Sequence, residues 1–557
     1  MDRREPGALA RGMGDRGAMK TRPWVLLLAI TPALFLAYFF IYPLITILYT
    51  GLVPNGRFAT SAFTEVVTDP TMRSVAWFTL WQAFLSTVFT VALGLPAAHV
   101  FARYRFPGRS LFRALTLIPF VLPTLVVGVA FLAVLGPGSP FGVDLRGTIW
   151  AILIAHVFYN LAIVIRGVGV LWEQIDPHIE DAARSLGAGR WRVFREVTLP
   201  LLRPAILSSA ALVFLFSFTS FGVILVLGDL HHTTLEVEIW RQATAFLRLD
   251  LASALAVLQL VGVTVILLMY GRFSRRTAGE LPLRPSAEVA RRPRTSGERV
   301  FIAATLGMLG LIVVTPIVVL IARSLSTPSG PALTHYANLI NPPRASAVFV
   351  SPLDAIGNSL RFAIPAVIIA AGIGLMAGVV IVSAKGRSGR LFDTVLMLPL
   401  GTSAVTIGFG FLVALDQPVD LRASAMLIPI AHALVAIPFV VRSTVPVMES
   451  VQRRLREAAA VLGASPRQAW REVDLPLVSR ALAVGGLFAF AISIGEFGAT
   501  SFIARPATTT IPVAIFRLLG RPGTFGEAMA MAVVLMAITG IAAMGIESMR
   551  GSRSGGV

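Results

Sequence analysis

A short pattern of residues suited to protein docking occurs twice in this chain. Each copy has an acidic residue followed by two alanines, a glycine after three further residues, and a Val-x-Leu-Pro run nine residues later. The copies lie 276 positions apart and consist of Asp181-Ala182-Ala183, Gly187 and Val197-Thr198-Leu199-Pro200, and of Glu457-Ala458-Ala459, Gly463 and Val473-Asp474-Leu475-Pro476. Paired alanines let another protein approach the backbone closely, and nearby arginines can pair with its acidic groups. The pattern therefore predicts docking rather than catalysis.

A second candidate group is the carboxylate of Glu496, which lies within an apolar segment where the first copy has Ser220. A carboxylate inside a membrane-spanning segment is costly and usually faces a cavity or a partner. Glu496 could face a cationic substrate or close an outer gate, together with Ser220. The alternative is a salt bridge with Arg505 or a contact with a neighbouring helix.

Three further side chains in apolar segments, Asn160, Trp81 and Tyr159, could line a path, and two histidines recur in the repeat. Asn160 is polar without a polar counterpart in the second half, and Trp81 and Tyr159 could stack on an aromatic solute, with packing as the alternative for each. His156 and His432 lie 276 positions apart, which favours a structural role in both halves over a metal site shared between them. We assign no catalytic residue and no metal ligand.

The composition indicates an integral membrane protein. Of 557 residues, 55% are apolar and 14% are charged, and the mean hydropathy is +0.78, whereas a soluble protein needs more surface charge. A helix needs about 20 apolar residues to cross a bilayer. Twelve segments meet this length: 24–49, 75–103, 115–136, 148–171, 205–228, 252–270, 300–321, 359–383, 391–415, 425–445, 481–502 and 528–546. The predicted fold class is all-α, with about 12 transmembrane helices.

The net charge of +19 comes from arginines at the amino terminus, after the second segment, in both motif regions and in 275–299. With twelve spans these regions share one side, and the positive-inside rule makes that side cytoplasmic, with both termini inside. A nucleic-acid-binding role is therefore disfavoured. The first apolar segment is too long for a signal-peptide core, so we expect it to be retained. The absence of cysteine excludes disulfides and thiolate chemistry.

The chain is a tandem repeat of two halves. Ala155-His156 matches Ala431-His432 at a displacement of 276, whereas Pro119 matches Pro399 at 280, so four extra residues are expected in the first half near 137–146. Six spans per half give both halves the same orientation and a symmetry axis along the membrane normal. The predicted organisation is a cytoplasmic segment 1–23, a first half 24–274, a cytoplasmic linker 275–299 that is partly disordered, a second half 300–546 and a cytoplasmic tail 547–557.

Each copy of the pattern lies in a loop, the first motif loop (176–200) and the second motif loop (450–476). Asp176-Pro177 is typical of a capped helix start, and Gly187 of a helix end, after which a second short helix follows. In the second motif loop we expect Ser450 to cap the first helix, and Ser465 with Gln468 to form a capping box for the next.

These residues resemble the EAA loop of binding-protein-dependent ABC importer permeases of type I. Both copies keep the acid, the two alanines, the glycine and Leu-Pro at the family spacing; the departure is Asp181 in place of Glu, with Glu180 just before it. The resemblance covers the chain from about Trp24. It implies that each motif loop docks onto an ATPase subunit, with coupling residues Glu180, Asp181, Ala182, Ala183, Gly187, Glu457, Ala458, Ala459 and Gly463.

The resemblance also implies the partners. The sequence has no G-x-x-x-x-G-K-[ST] loop, and its two lysines, Lys20 and Lys385, lie in no such setting, so ATP-Mg would bind on two separate ATPase copies and this chain would hold no cofactor of its own. An external solute-binding protein would deliver the solute to a bacterial cytoplasmic membrane. A secondary transporter and a membrane enzyme are the alternative classes; the motif loops disfavour the first, and no catalytic cluster favours the second.

Among fused tandem permeases, the chain resembles the thiamine importers most, with ferric-iron importers as the alternative. The stretches that carry this resemblance are 217–222, 233–236 with Gln259, and 493–498 followed by Thr510-Ile511-Pro512. Thiamine or its phosphates are therefore the expected substrate.

Overall fold

The computed structural model describes residues 23–53, 56–116, 118–277, 290–341, 351–384, 387–450 and 453–551. These residues are almost entirely helical, with one short antiparallel ribbon that pairs Ser326–Thr327 with Gly330–Pro331. The predicted all-α fold is confirmed.

The helices follow the apolar segments of the sequence in both halves. In the first half they are Pro23–Leu36, Ala37–Ile41 (a π-helical turn), Tyr42–Leu52, Ser61–Thr68, Pro70–Arg103, Arg109–Leu115, Ile118–Val121, Thr124–Leu135, Ile149–Gln174, Pro177–Ser185, Arg190–Val193, Phe194–Thr198 (π-helical), Leu199–Phe218, Gly222–Leu227, Leu235–Thr244 and Leu249–Thr277. In the second half they are Ser296–Ser324, Thr334–Ile340, Pro352–Ser383, Arg387–Gly401, Ala404–Ala414, Leu427–Ser450, Arg453–Val461, Pro466–Ala469, Trp470–Asp474 (π-helical), Leu475–Gly495, Thr500–Ile503, Pro506–Thr508 (3₁₀), Ile511–Leu519 and Phe525–Gly551.

Ten helical spans in the described part of the chain are long and apolar enough to cross a membrane, and a bent pair makes an eleventh. That pair, 388–401 and 404–414, bends by 94° where Ser403 caps the second helix. The matching segment 115–136 is broken into short helices around Pro119 and Pro123. Both segments, which the sequence predicts as single spans, are thus interrupted at prolines or at a serine that caps the start of the next helix.

The segments 205–228 and 481–502 are broken as well. Each long helix ends, at Phe218 or at Gly495, and a short helix follows it after a few residues. A further short helix, Leu235–Thr244 or Ile511–Leu519, then turns back into the bundle before the last span. Its first backbone N–H is held by a hydroxyl of a span, Thr79 Oγ1 at 3.0 Å in one half and Ser359 Oγ at 2.8 Å in the other. The two halves therefore repeat individual hydrogen bonds as well as the order of their helices.

The four extra residues lie in the loop after Leu135. The Leu145 N–H donates to the Leu135 carbonyl at 2.7 Å, and the Leu421 N–H donates to the Leu415 carbonyl at 2.9 Å. The shorter second loop therefore closes on the same hydrogen bond with four fewer residues, 416–420 in place of 136–144. This confirms the predicted position of the insertion.

The two halves interlock through their first spans. The helix Tyr42–Leu52 packs against Ala404–Ala414 of the second half, where a Cβ added to Gly410 would lie 2.9 Å from Pro43 Cβ. The helix Ser296–Ser324 packs in turn against Thr124–Leu135 of the first half. One large apolar core contains buried residues of both halves, so the seam between the halves lies inside the protein.

The central linker is described only at its two ends. The last helix of the first half continues to Thr277. Residues 278–289, on which most of the linker prediction falls, lie outside the described residues. Where the chain resumes, the Arg291 N–H donates to the Arg103 carbonyl at 3.0 Å, and the Arg105 N–H donates to the Arg291 carbonyl at 2.9 Å. The linker is thus fastened to the carboxyl-terminal end of the second span.

Candidate functional site

The first motif loop forms two short helices around a glycine bend. Asp176 caps the helix Pro177–Ser185 by accepting a backbone N–H at 3.0 Å. Gly187 has a φ of +86°, which residues with a Cβ rarely adopt, and the Ala188 N–H then reaches the Ala183 carbonyl at 3.1 Å. The local structure that the sequence predicts for this loop is confirmed.

The second motif loop repeats this geometry. Gly463 has a φ of +85°, and the Ala464 N–H reaches the Ala459 carbonyl at 2.9 Å. The predicted capping box is present, because the Ser465 N–H donates to Gln468 Oε1 at 2.8 Å and the Gln468 N–H donates to Ser465 Oγ at 3.3 Å.

The predicted cap at Ser450 is wrong. Ser450 is the last residue of the helix Leu427–Ser450, and its hydroxyl donates back to the Val447 carbonyl at 2.8 Å. A hydroxyl used within its own helix is not available to cap the next one. The helix Arg453–Val461 begins after residues 451–452, which lie outside the described residues.

Both motif loops present matching apolar side chains to solvent. Leu186 is 90% exposed, and Leu462, 276 positions later, is 88% exposed. Ala182 and Ala458 are exposed as well, and so is Glu457 of the motif. A large leucine left in solvent at the same place in two copies of a loop indicates a surface made for a partner.

The acidic residues of the first motif loop have two different roles. Asp181 is exposed and pairs with Arg184 at 2.9 Å. Glu180 turns inward, where it pairs with Arg103 at 2.9 Å and accepts the Thr198 hydroxyl at 3.0 Å. Glu180 therefore anchors the loop to the second span, and Asp181 is the acid that remains available on its surface.

The two repeated histidines are bound within their own halves. The ring nitrogens of His156 lie 2.9 Å from the hydroxyls of Ser86 and Ser220. His432 lies in the same way between two hydroxyls of the second half, each at 2.8 Å. The structural role predicted for both histidines is confirmed. Both nitrogens of each ring are thus hydrogen-bonded within the ring's own half.

Glu496 is buried at the end of the helix Leu475–Gly495, 7% exposed. It accepts the backbone N–H groups of Ala499 at 2.7 Å and Thr500 at 3.0 Å, and His432 Nε2 lies 3.3 Å from its Oε2. Arg505 instead donates to the Arg422 backbone carbonyl at 2.9 Å, so the alternative of an Arg505 salt bridge is wrong. Sequence reasoning missed the histidine because it is more than sixty residues away.

The other predicted path residues lie in the first half. Ser220 binds His156, and Asn160 lies one helical turn after that histidine, where its amide donates to Ser217 Oγ at 3.3 Å. Tyr159 and Trp81 are partly buried and pack against the large apolar core. The structure therefore brings Ser220 and Asn160 together on the face of the helix Ile149–Gln174 that carries His156. Glu496 lies in the corresponding group of the second half, beside His432.

Sequence reasoning missed four aromatic rings that meet between the halves, here named the aromatic quartet (Phe221, Trp240, Phe497 and Phe516). Phe221 stacks on Phe497 with centroids 5.3 Å apart, and Trp240 meets Phe516 edge-on at 5.7 Å. Members of each pair lie 276 positions apart, and a residue that touches its own counterpart must lie beside the symmetry axis. Ring contacts within each half, at 6.3 and 5.6 Å, complete the cluster. The repeat displacement was the sequence feature that could have identified it.

Known proteins agree with this architecture. Residues 90–279 and 354–549 each match the family described as binding-protein-dependent transport system inner membrane component. The thiamine transport system permease protein ThiP of Brucella abortus (strain 2308) is 29% identical over 85% of this chain and 88% of its own length, and that of Escherichia coli (strain K12) is 27% identical over 81% and 84%. The sulfate transport system permease protein CysT of Escherichia coli (strain K12) is 34% identical over 39% of this chain and 82% of its own.

Two solved structures show more distant likeness. They are a bacterial ABC transporter involved in alginate import and a bacterial alginate ABC transporter in complex with a pentasaccharide-bound periplasmic protein, both 18% identical, covering 46% and 47% of this chain and 97% of their own, with TM-scores of 0.39 and 0.38. The family model, in contrast, matches most of the chain and does so once in each half. The chain therefore belongs to the family of binding-protein-dependent transport system inner membrane components, as a multi-pass membrane permease with two fused permease halves.

Proposed function

We propose that this chain forms the translocation path of an ABC importer for thiamine or its phosphates. The observation that supports the substrate best is the similarity to thiamine permeases along 85% of the chain and 88% of theirs. The similarity to the sulfate permease is confined to 39% of this chain, a length of about one half. Ferric iron is the alternative substrate that the sequence suggests.

Energy enters through the two motif loops. Each loop seats Leu186 or Leu462 and its exposed alanine in a groove on one of two ATPase copies, which bind ATP-Mg. When the ATPase copies close on ATP, they draw the loops together, and the two halves rock about the axis between them. ATP drives this motion only because the two conformations bind it with different affinity. The matching exposure of the two leucines supports this role.

The aromatic quartet is the closed gate of the path. A path between two halves related by an axis along the membrane normal runs along that axis, and Phe221 and Phe497 meet there. Both follow the outer end of a span that begins at a motif loop, Leu199–Phe218 or Leu475–Gly495. Rocking of the halves would separate the two cross-axis ring pairs and open the path outward, toward the solute-binding protein.

The proposed location is a bacterial cytoplasmic membrane. The arginine-rich linker and both motif loops lie on the cytoplasmic side, together with both termini. The solute-binding protein would dock on the opposite face. Labelling of single cysteines introduced at Leu186 and at the outer Leu230 with a membrane-impermeant reagent in intact cells checks the orientation, since the chain has no cysteine of its own.

Reconstitution tests the proposed substrate. The chain is purified with its ATPase and placed in proteoliposomes with ATP inside and the solute-binding protein outside. Uptake of labelled thiamine is measured against labelled sulfate and ferric iron, with the binding protein omitted as the control. ATP-dependent uptake of thiamine or a thiamine phosphate is expected. Uptake of sulfate or iron in its place would refute the assignment.

A further inference from the structure

Within the part of the chain that the structure describes, one buried carboxyl group at the seam between the halves has no cationic partner. Glu236 is completely buried at the start of the helix Leu235–Thr244. Its oxygens accept the Gln259 amide of its own half and the Ser403 hydroxyl of the second half, the latter at 2.6 Å. Among the described residues, no arginine, lysine or histidine forms an ion pair with it.

The neighbouring charges are already occupied. Glu238 pairs with Arg241 at 3.1 Å and accepts the Gln242 amide at 2.7 Å. In the second half Glu496 lies against His432, as described above. Arg517 donates to Thr509 Oγ1 at 2.9 Å. Glu236 is thus a buried carboxyl group of this region whose described hydrogen-bond partners, Gln259 and Ser403, are both neutral.

The repeat does not require this residue. The position 276 residues later holds Pro512, so the second half folds in the same way without a carboxylate. An ionised carboxylate buried away from a counter-charge is expensive, so the empty site favours the neutral carboxyl group, which can ionise when a cation arrives. A buried ionisable group that the fold does not need is a candidate for binding.

Glu236 also faces the proposed path. Residues four apart share a helix face, so Glu236 lies on the same face as Trp240 of the aromatic quartet, and both contact the second half. Two polar atoms beside them, Gln259 Oε1 and Trp240 Nε1, are buried without a hydrogen-bond partner in the described structure. Gln259 is 1% exposed. Unused hydrogen-bonding groups, an aromatic ring of the quartet and a carboxyl group without a cationic partner among the described residues therefore lie together at the seam between the halves.

We propose that Glu236 is the counter-charge for an organic cation that crosses the axis, with the rings of the opened aromatic quartet lining its faces. A cation is attracted both by the carboxylate and by the π faces of the rings, whereas an anion such as sulfate is repelled by both. The site therefore selects a flat, positively charged solute. This inference rests on the proposed function and names the chemical feature of thiamine, its thiazolium ring, that the path recognises.

The test compares a cation with its neutral isostere in the reconstituted importer. The solutes are thiamine and 3-deazathiamine, in which carbon replaces the charged nitrogen of the ring. The variants are Glu236→Gln, which keeps the shape, Glu236→Asp, which keeps the charge, and the control Glu65→Gln, which removes a carboxylate from an exposed ion pair. The ratio of thiamine to 3-deazathiamine uptake is compared among variants, so that the preference of the binding protein cancels.

Glu236→Gln is expected to lower this ratio about 10-fold, while Glu236→Asp and Glu65→Gln change it by less than about 3-fold. A parallel loss of both uptakes in Glu236→Gln, or an unchanged ratio, would overturn the proposal and leave Glu236 as a structural contact to Ser403. Thermal unfolding of each variant shows whether Glu236→Gln has a folding defect. If it has one, the uptake ratio of Glu236→Asp decides whether the charge at this position matters. If the wild-type importer carries another cation with the same dependence on Glu236, only the thiamine assignment fails. If it carries sulfate, the thiamine assignment and the proposed role of Glu236 both fail.

Discussion

Replacing the two exposed leucines of the motif loops should detach the ATPase without affecting the fold. Leu186 and Leu462 are 90% and 88% exposed, so each has almost its whole surface available for a partner. Full burial of a leucine contributes roughly 1.5–3 kcal/mol, and truncation to alanine removes about 2 kcal/mol of it. Each single variant should weaken ATPase association about 30-fold. The double variant should weaken assembly with both ATPase copies about 1000-fold, because in the proposed function the leucines contact separate ATPase copies and their effects add.

The assay measures association and activity in the same preparation. The ATPase is titrated onto Leu186→Ala, Leu462→Ala and the double variant in nanodiscs, and ATP hydrolysis stimulated by the binding protein is followed. Leu230→Ala, at a leucine 71% exposed in the loop between Gly222–Leu227 and Leu235–Thr244, is the matched control and should behave as the wild type. The thermal midpoint of the permease should not move in any variant, since a side chain already in solvent contributes little to folding.

Two results would refute this reasoning. Wild-type affinity in the double variant would mean that the motif loops do not carry the contact. A lowered thermal midpoint with weakened association would mean that the two leucines stabilise the loops. Their exposed side chains would then not be a docking surface. A loss confined to one loop would show that the two ATPase contacts are unequal, and the additive estimate would fail.

Three further outcomes are expected. Glu496→Gln should cost about 1–3 kcal/mol of stability, because an amide cannot accept both backbone N–H groups, and should leave the apparent affinity for thiamine unchanged; a changed affinity at normal stability would contradict this structural role. Gly408→Ala should reduce the stability by about 3 kcal/mol and so lower the thermal midpoint, since its Cβ would lie 2.5 Å from Ala499 Cα. Gly372→Ala is the control, because a Cβ there would have nothing within 4 Å and the midpoint should not change. Equal midpoints in the two variants would contradict the close approach. Phe497→Ala removes two ring contacts of the aromatic quartet, whose interaction free energy is about 1–3 kcal/mol in total. It should therefore raise ATP hydrolysis in the absence of the binding protein, and an unchanged basal rate would argue against a gate.

The first half is fastened to its motif loop more elaborately than sequence similarity between the halves suggests. Glu180 pairs with Arg103, and the linker residue Arg291 exchanges backbone hydrogen bonds with the same end of the second span. The second half has Arg456 at the position of Glu180 and Ser383 at that of Arg103, so this ion pair cannot be repeated. Motion of the first motif loop is therefore tied to the second span and to the linker by contacts specific to this half.

Features encoded over a short stretch of chain were predictable from the sequence. The apolar segments, the repeat displacement and the position of the four extra residues are linear properties. The bends at Gly187 and Gly463 depend on glycine at a positive φ, and the capping box at Ser465 depends on residues three apart. Local geometry of this kind needs no knowledge of distant parts of the chain, so the motif loops and the family could be identified before the fold.

What only the tertiary structure decided were contacts between residues far apart in the chain. The partner of Glu496 is His432 rather than the nearby Arg505, and Glu236 reaches Ser403 across the seam. The aromatic quartet exists only because the interlocked first spans bring the two halves together on one axis. A sequence states which side chains could pair, but burial and the packing of helices determine which of them meet, and that choice sets the character of the path.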